Sequence, residues 1–215
     1  MDQHSQALIF IGGSGPDPEK YKKLLGPSDM VIAADSGLIR AEAFGYKPDW
    51  IVGDMDSLTD VSRLYAYPQD RIIRYPPDKD FTDTELALSL AWDKGYITTT
   101  LIGGSGGRTD HLLAIIALFE REKTPSRWFT DSELVFPLEH SLERDLPLDT
   151  MISLFPVGPG PWEAESEGLK WPLNGLNWER GNFGLSNRTC YPSVSIKVLS
   201  GRFLVFIPLE ILDPL

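Results

Sequence analysis

This chain of 215 residues has one cysteine, three histidines and no apolar run near the roughly 20 residues that a membrane span needs. The lone Cys190 excludes an internal disulfide and fits a reducing compartment. Both a catalytic thiol and a bland small side chain remain open for it. No basic stretch leads into an apolar core at the start of the sequence, so no secretory signal is expected and the expected location is cytoplasmic. Positive charge is also scarce: 20 Lys and Arg stand against 31 Asp and Glu, a net charge of −11. That balance argues against nucleic acid as a partner. The acidity is shared by both halves rather than gathered in a tail. There is no clear internal repeat, no low-complexity linker and no lysine-containing P-loop pattern. A polyphosphate ligand would therefore need a cation and local basic residues.

What the chain does have is aspartate in distinctive places. Four acidic segments fall where buried strands should end: Ala33-Ala34-Asp35-Ser36-Gly37, Gly53-Asp54-Met55-Asp56-Ser57, Asp78-Lys79-Asp80-Phe81-Thr82-Asp83 and Gly103-Gly104-Ser105-Gly106-Gly107-Arg108-Thr109-Asp110-His111. In open α/β sheets the carboxyl ends of the strands line one ligand-binding crevice. Carboxylates converging there repel, two unit charges about 4 Å apart costing roughly 4 kcal/mol at an effective dielectric of about 20. A hard divalent cation with oxygen ligands, carrying a substrate phosphate, removes the conflict. The segments read as a metal–phosphate site.

Short apolar runs recur at Ala7–Ile11, Met30–Ala34, Trp50–Val52, Arg71–Tyr75, Ile97–Ile102 and Arg127–Thr130. Runs without polar alternation suit parallel strands covered on both faces by helices. Thr82-Asp83-Thr84-Glu85 is a capping box, followed by Leu86, Leu88, Leu90 and Trp92 and stopped at Gly95. Leu112–Phe119 is apolar nearly all round, which predicts a well-buried helix. Beyond residue 131 the pattern changes to short alternating stretches rich in Pro and Gly. Val194, Ile196 and Val198 alternate with polar residues, and Ser200-Gly201 before Arg202–Ile207 predicts a hairpin. The expected organisation is an α/β domain over 1–130 and a β-sandwich over 131–215. The second is small enough to need packing on the first or on another copy of itself.

Each candidate has a plainer reading beside its chemical one. On an extended segment Asp54 and Asp56 point the same way and reach one metal, yet such aspartates also simply end strands and cap turns. Asp83, in a first helical turn, is stabilised there whether or not it binds anything. Lys79 is either a surface ion pair or a phosphate contact. The glycines around Gly103 and Gly104 either cradle phosphate with free amides or serve a tight turn, and Gly12–Gly15 forms a weaker second loop. Arg108 suits bidentate phosphate contact. His111 either orients a carboxylate or caps the helix.

Taken in order, Ala-Ala-Asp-x-Gly, Gly-Asp-x-Asp-Ser, Asp-Lys-Asp-x-Thr-Asp and Gly-Gly-Arg-x-Asp-His resemble the thiamine pyrophosphokinase family. Gly168-Leu169-Lys170-Trp171-Pro172-Leu173 and Gly184-Leu185-Ser186-Asn187 extend the likeness into the β-rich half. The resemblance implies an N-terminal Rossmann-like α/β domain with a mainly parallel sheet, a C-terminal β-sandwich that binds thiamine and dimerises, and a homodimer. It also implies transfer of the pyrophosphoryl group of ATP to the hydroxyl of thiamine, leaving AMP, with Mg²⁺. Carried over, Asp54, Asp56 and Asp83 are the metal carboxylates and Asp35 and Asp110 complete an acidic rim. Lys79 and Arg108 meet ATP phosphates, beside Asp80, Gly103 and Gly104. Ser186, Asn187 and Trp171 belong to the thiamine pocket. Ser36, Ile115 and the long segment Asn174–Asn182 depart from the family pattern and bear on pocket detail. Two other readings fit the same residues: a diphosphokinase for another heterocyclic alcohol such as a pterin, and a non-catalytic nucleotide or thiamine diphosphate sensor.

Overall fold

The structure, a computed structural model, describes residues 6–212. The chain divides into two compact units, residues up to 115 with Trp128–Asp131, and 116–127 with the residues from 132 onward. Among the described residues no helix is long and apolar enough to cross a membrane.

The first unit is built on β1 (Gln6–Phe10), β2 (Met30–Ala34), β3 (Trp50–Gly53), β4 (Ile72–Arg74), β5 (Thr98–Ile102) and β6 (Arg127–Phe129), in the sheet order β6-β5-β1-β2-β3-β4. β1 pairs with β2 and β5, and β3 with β2 and β4, all in parallel. All five residues of β1 are buried, as a strand covered on both faces requires. Its helices are α1 (Pro18–Tyr21), α2 (Gly37–Ala43), α3 (Asp83–Asp93) and α4 (Thr109–Leu118). α3 opens on the expected capping box: Glu85 N donates to Thr82 Oγ1 at 3.2 Å and Thr82 N to Glu85 Oε2 at 2.8 Å. α3 packs against β1, β2 and β3, and α2 against β1 and β2. Because the strands run the same way, the segments after β1, β2, β3 and β5 emerge at one edge.

α4 corrects one expectation. Ile115, Leu118 and Phe119 are buried, but Leu113 is 61% exposed and Ala114 and Ala117 are exposed. The buried positions follow helical spacing, so one stripe is covered and not every side.

The second unit holds β7 (Glu133–Leu138), β8 (Ser141–Asp145), β9 (Met151–Val157), β10 (Glu163–Glu167), β11 (Gly184–Arg188), β12 (Ser193–Ser200) and β13 (Arg202–Pro208). Two antiparallel sheets, β11-β9-β13-β7 and β10-β12-β8, make the sandwich. Val194, Ile196 and Val198 of β12 turn inward, as their alternation predicts. The hairpin at Ser200-Gly201 does not form. β12 pairs with β10 and β8, whereas β13 pairs with β7 and β9, so this turn carries the chain from one sheet to the other. Gly201 has φ +77°, and a Cβ there would overlap the Trp162 ring that fills the corner. Trp162 is fixed by its Nε1 donating to Val157 O at 3.0 Å.

Candidate active site

Three carboxylates converge at the strand-end edge of the first unit. Asp35, Asp54 and Asp83 each offer one oxygen, all within 4.8 Å of one another. Asp35 follows β2 in a left-handed conformation (φ +49°), its N–H donating to Val52 O at 2.9 Å. Asp54 follows β3. Asp83 opens α3, so the capping box that starts the helix also aims this side chain. Gly53 lies between them: a Cβ there would sit 3.2 Å from both Asp35 Cβ and Asp83 Oδ1, and its φ of +146° suits glycine. The close approach of the three acids depends on that missing side chain.

The electrostatics are those of crowded anions held by one cation. Lys79 Nζ lies 2.9 Å from Asp83 Oδ1 and 3.3 Å from Asp54 Oδ2, with its side chain only 12% exposed. Burial alone would lower the Lys79 pKa, but its bonds and charge pairing with Asp83 and Asp54 outweigh that and raise it. Burial raises the carboxyl pKa of Asp35 against the hydrogen bond donated by Ser57 Oγ. Asp83 is raised by burial against the pull of Lys79. Asp54 is lowered, first by the backbone N–H of Asp56, which donates to its Oδ1 at 3.1 Å, and then by Lys79. Asp35 Oδ1 is buried without a hydrogen-bond partner. Three acidic oxygens at this spacing, beside an orphan carboxylate acceptor, fit a hard divalent cation such as Mg²⁺.

Asp56 is placed differently from the reading of an extended Asp-x-Asp. Met55 has φ +68° and is buried in the cluster with Ala33, Leu38, Ile51 and Leu58. Burying Met55 bends the segment back on itself, so Asp56 stands exposed against Asp54 and outside the trio. Contact with Asp54 raises its pKa. Asp80 is exposed and also outside the trio.

The glycine loop after β5 is less open to an anion than its sequence suggests. Gly103 N donates to Phe129 O at 3.0 Å and Gly104 N to Gly12 O at 2.7 Å, so neither amide is free for a phosphate. Gly106 and Gly107 make no such bond. Arg108 and Asp110 are exposed and bound to each other, Nη2 to Oδ2 at 2.6 Å and Nε to Oδ1 at 3.1 Å. The guanidinium holds the Asp110 carboxyl down at about 2. His111 sits in the first turn of α4, its N–H donating to Asp110 Oδ1 at 3.0 Å.

In the second unit Trp171, Ser186 and Asn187 form one local arrangement. Buried Asn187 donates from Nδ2 to Trp171 O at 2.6 Å and accepts from Trp171 N at 3.1 Å. Its amide thus fixes the backbone under a tryptophan whose side chain is 53% exposed. Lys170 Nζ lies 4.8 Å from the Trp171 ring centroid. Ser186 is exposed, with φ +56°, where the register between β11 and β9 slips. The sequence reading did not single out Ser57, Gly53 or Arg40. Ser57 and Gly53 lie inside a quoted motif, but a lone Arg40 on a short helix gives no signal.

Two family models match the chain: the catalytic domain of thiamin pyrophosphokinase over residues 21–129, and its vitamin B1 binding domain over 139–203. The thiamine pyrophosphokinase of Bacillus subtilis is 32% identical over 161 residues, 71% of this chain and 70% of that protein. A crystal structure of thiamine pyrophosphokinase from Bacillus subtilis superposes with a TM-score of 0.77 at 23% identity, covering 95% of this chain and 99% of that one. Yeast thiamin pyrophosphokinase gives a TM-score of 0.70 at 17% identity over 97% of this chain and 87% of its own.

Proposed function

With the chain belonging to the thiamin pyrophosphokinase family, we propose that it transfers the pyrophosphoryl group of ATP to the hydroxyl of thiamine, giving thiamine diphosphate and AMP. Formation of thiamine diphosphate is the activity of the family, and this chain is an enzyme of that activity. The donor, the leaving group and the metal are the finer reading. The observation that carries it is the group of Asp35, Asp54 and Asp83 oxygens within 4.8 Å, with Lys79 between two of them.

Asp35, Asp54 and Asp83 would hold Mg²⁺, with Asp56 adding a further oxygen through its place beside Asp54. The ion would neutralise phosphate charge and orient the transferred group. The thiamine hydroxyl oxygen forms a bond to the β-phosphorus. The bond from that phosphorus to the α-phosphate oxygen breaks, and AMP leaves with the electron pair. The hydroxyl proton passes to a carboxylate of this group, Asp56 or Asp83. Lys79 and Arg108 face the phosphate oxygens, Lys79 as a point charge and Arg108 as a planar fork. Asp110 orients Arg108 through the paired hydrogen bonds between them.

Thiamine, which is cationic, would be held by Trp171, Ser186 and Asn187. An aromatic face binds a cation through its quadrupole, and the Trp171 face already takes Lys170. Exposed apolar side chains on this unit, among them Trp171, Phe183, Leu185 and Tyr191, suit a homodimer interface.

The test is an assay that measures AMP release from ATP with thiamine or with a pterin alcohol as acceptor. AMP with thiamine alone is expected. No AMP with thiamine contradicts the proposal, release with the pterin alone supports the other acceptor, and tight binding of ATP and thiamine without turnover identifies a sensor.

A further inference from the structure

Two loops far apart in sequence are joined at the carboxyl ends of β1 and β5. Ser14 in the first and Ser105 in the second pair as an antiparallel bridge, with Ser105 N and Ser105 Oγ each donating to Ser14 O at 3.0 Å. Gly104 N adds its 2.7 Å bond to Gly12 O, and Asp131 N donates to Ser105 Oγ at 2.9 Å. The glycine-rich segments therefore form one rim, not two.

Arg40 of α2 runs into that rim. Its Nη2 donates to the Gly13 carbonyl, and its Nε is buried without an acceptor. A Cβ on Gly15 would lie 2.8 Å from Arg40 Nη1 and 2.8 Å from Gly103 Cα, and a Cβ on Gly103 would lie 3.1 Å from Arg40 Nε. The two glycines leave the room that the guanidinium fills. Burial lowers the Arg40 pKa, with the negative charge of Asp131 acting against that shift. An arginine nevertheless stays charged in a protein. A fixed positive charge is thus seated behind both loops, on the helix that begins just after Asp35.

We propose that Arg40 is a positioning residue for the phosphate donor: it clamps the two glycine loops into one rim and holds positive charge behind them. The inference rests on the reading of ATP as donor. A polyphosphate approaching a chain of net charge −11 meets the carboxylates of Asp35, Asp54 and Asp83 on one side. Positive charge on the glycine side offsets that repulsion without touching the ligand. Lysine in its place would supply charge but not the flat guanidinium that bonds the Gly13 carbonyl and fills the space between Gly15 and Gly103.

The experiment compares Arg40→Gln and Arg40→Lys with the wild type, by calorimetric titration of ATP and by KM for ATP and for thiamine, with Tm measured alongside. Arg40→Gln is expected to weaken ATP affinity and raise the ATP KM at least tenfold, with the thiamine KM within twofold of wild type. Arg40→Lys should recover part of the ATP affinity. ATP affinity unchanged in Arg40→Gln, whatever happens to Tm, overturns the role while leaving ATP as donor intact. Equal weakening of ATP and thiamine also overturns it, since general loosening of the fold predicts that. If Arg40→Gln does not fold, the lysine variant decides: its ATP KM must rise severalfold with the thiamine KM unchanged, and an unaltered ATP KM refutes the clamp. A wild type that binds no ATP removes both the donor reading and this inference.

Discussion

The two units hold their candidate functional groups in opposite ways. In the α/β unit, Asp35, Asp54 and Asp83 are fixed by backbone: a left-handed residue after β2, a strand end, and a capped helix start. Their oxygens are partly or wholly removed from solvent, with Lys79 as the internal counter-ion. In the β-sandwich, only Asn187 is buried, and it anchors the backbone beneath side chains that face outward, Trp171 and Ser186. A parallel sheet gathers strand ends at one edge, so one unit can assemble a charged centre by itself. A sandwich buries every second residue, so its contact groups face outward. Crowded acids are costly without a cation, whereas an exposed indole costs little. Substitutions in the two units should therefore separate chemistry from acceptor recognition.

The largest separation is expected from Asp54→Asn. Turnover should fall by about a thousandfold or more, the scale of losing a main electrostatic group of a reaction centre, with far-UV circular dichroism unchanged. Near-normal rates at saturating Mg²⁺ would place the chemistry elsewhere. Trp171→Ala comes next. Loss of the aromatic face should raise the thiamine KM by about tenfold or more, in line with roughly 1–2 kcal/mol for a partly desolvated cation–aromatic contact, with ATP affinity within twofold. An equal effect on both substrates would erase the proposed division of labour. The smallest effect is on stability. Asp35→Asn removes a charge that burial disfavours yet keeps an acceptor for Ser57. In metal-free protein the Tm should rise by about 2–4 °C, equivalent to about 1 kcal/mol for a chain of this size, while activity is lost. A lower Tm would mean that Asp35 is stabilised by its surroundings and not strained by them.

Much of this arrangement was legible because it rests on local chemistry. β2 falls on Met30–Ala34 as its unbroken apolar run predicts, and the capping box at Thr82 forms both of its hydrogen bonds. The acidic strand ends gather because parallel strands share a direction. What was not legible depends on contacts distant in sequence. Ser200-Gly201 carries the same residues a hairpin would use, yet β13 joins the other sheet, with Trp162 packed against Gly201 in the corner. Met55 reads as the middle of Asp-x-Asp until its burial twists the segment and leaves Asp56 exposed beside Asp54, outside the trio of Asp35, Asp54 and Asp83. Leu113 lies in an apolar run, yet only one stripe of α4 is covered. Gly103 and Gly104 look like free phosphate donors, but their amides belong to Phe129 and Gly12. Arg40 has no neighbouring motif, since its meaning comes from two loops that only the fold brings together.

The most direct test of the central claim is anomalous diffraction from crystals grown with Mn²⁺ and a non-hydrolysable ATP analogue. The expected result is manganese bound by oxygens of Asp35, Asp54 and Asp83 at roughly 2.0–2.3 Å, as a hard cation with carboxylate ligands requires, and also touching the analogue's phosphates. Strong manganese density elsewhere, with these three side chains still paired only to Lys79 and Ser57, would contradict it.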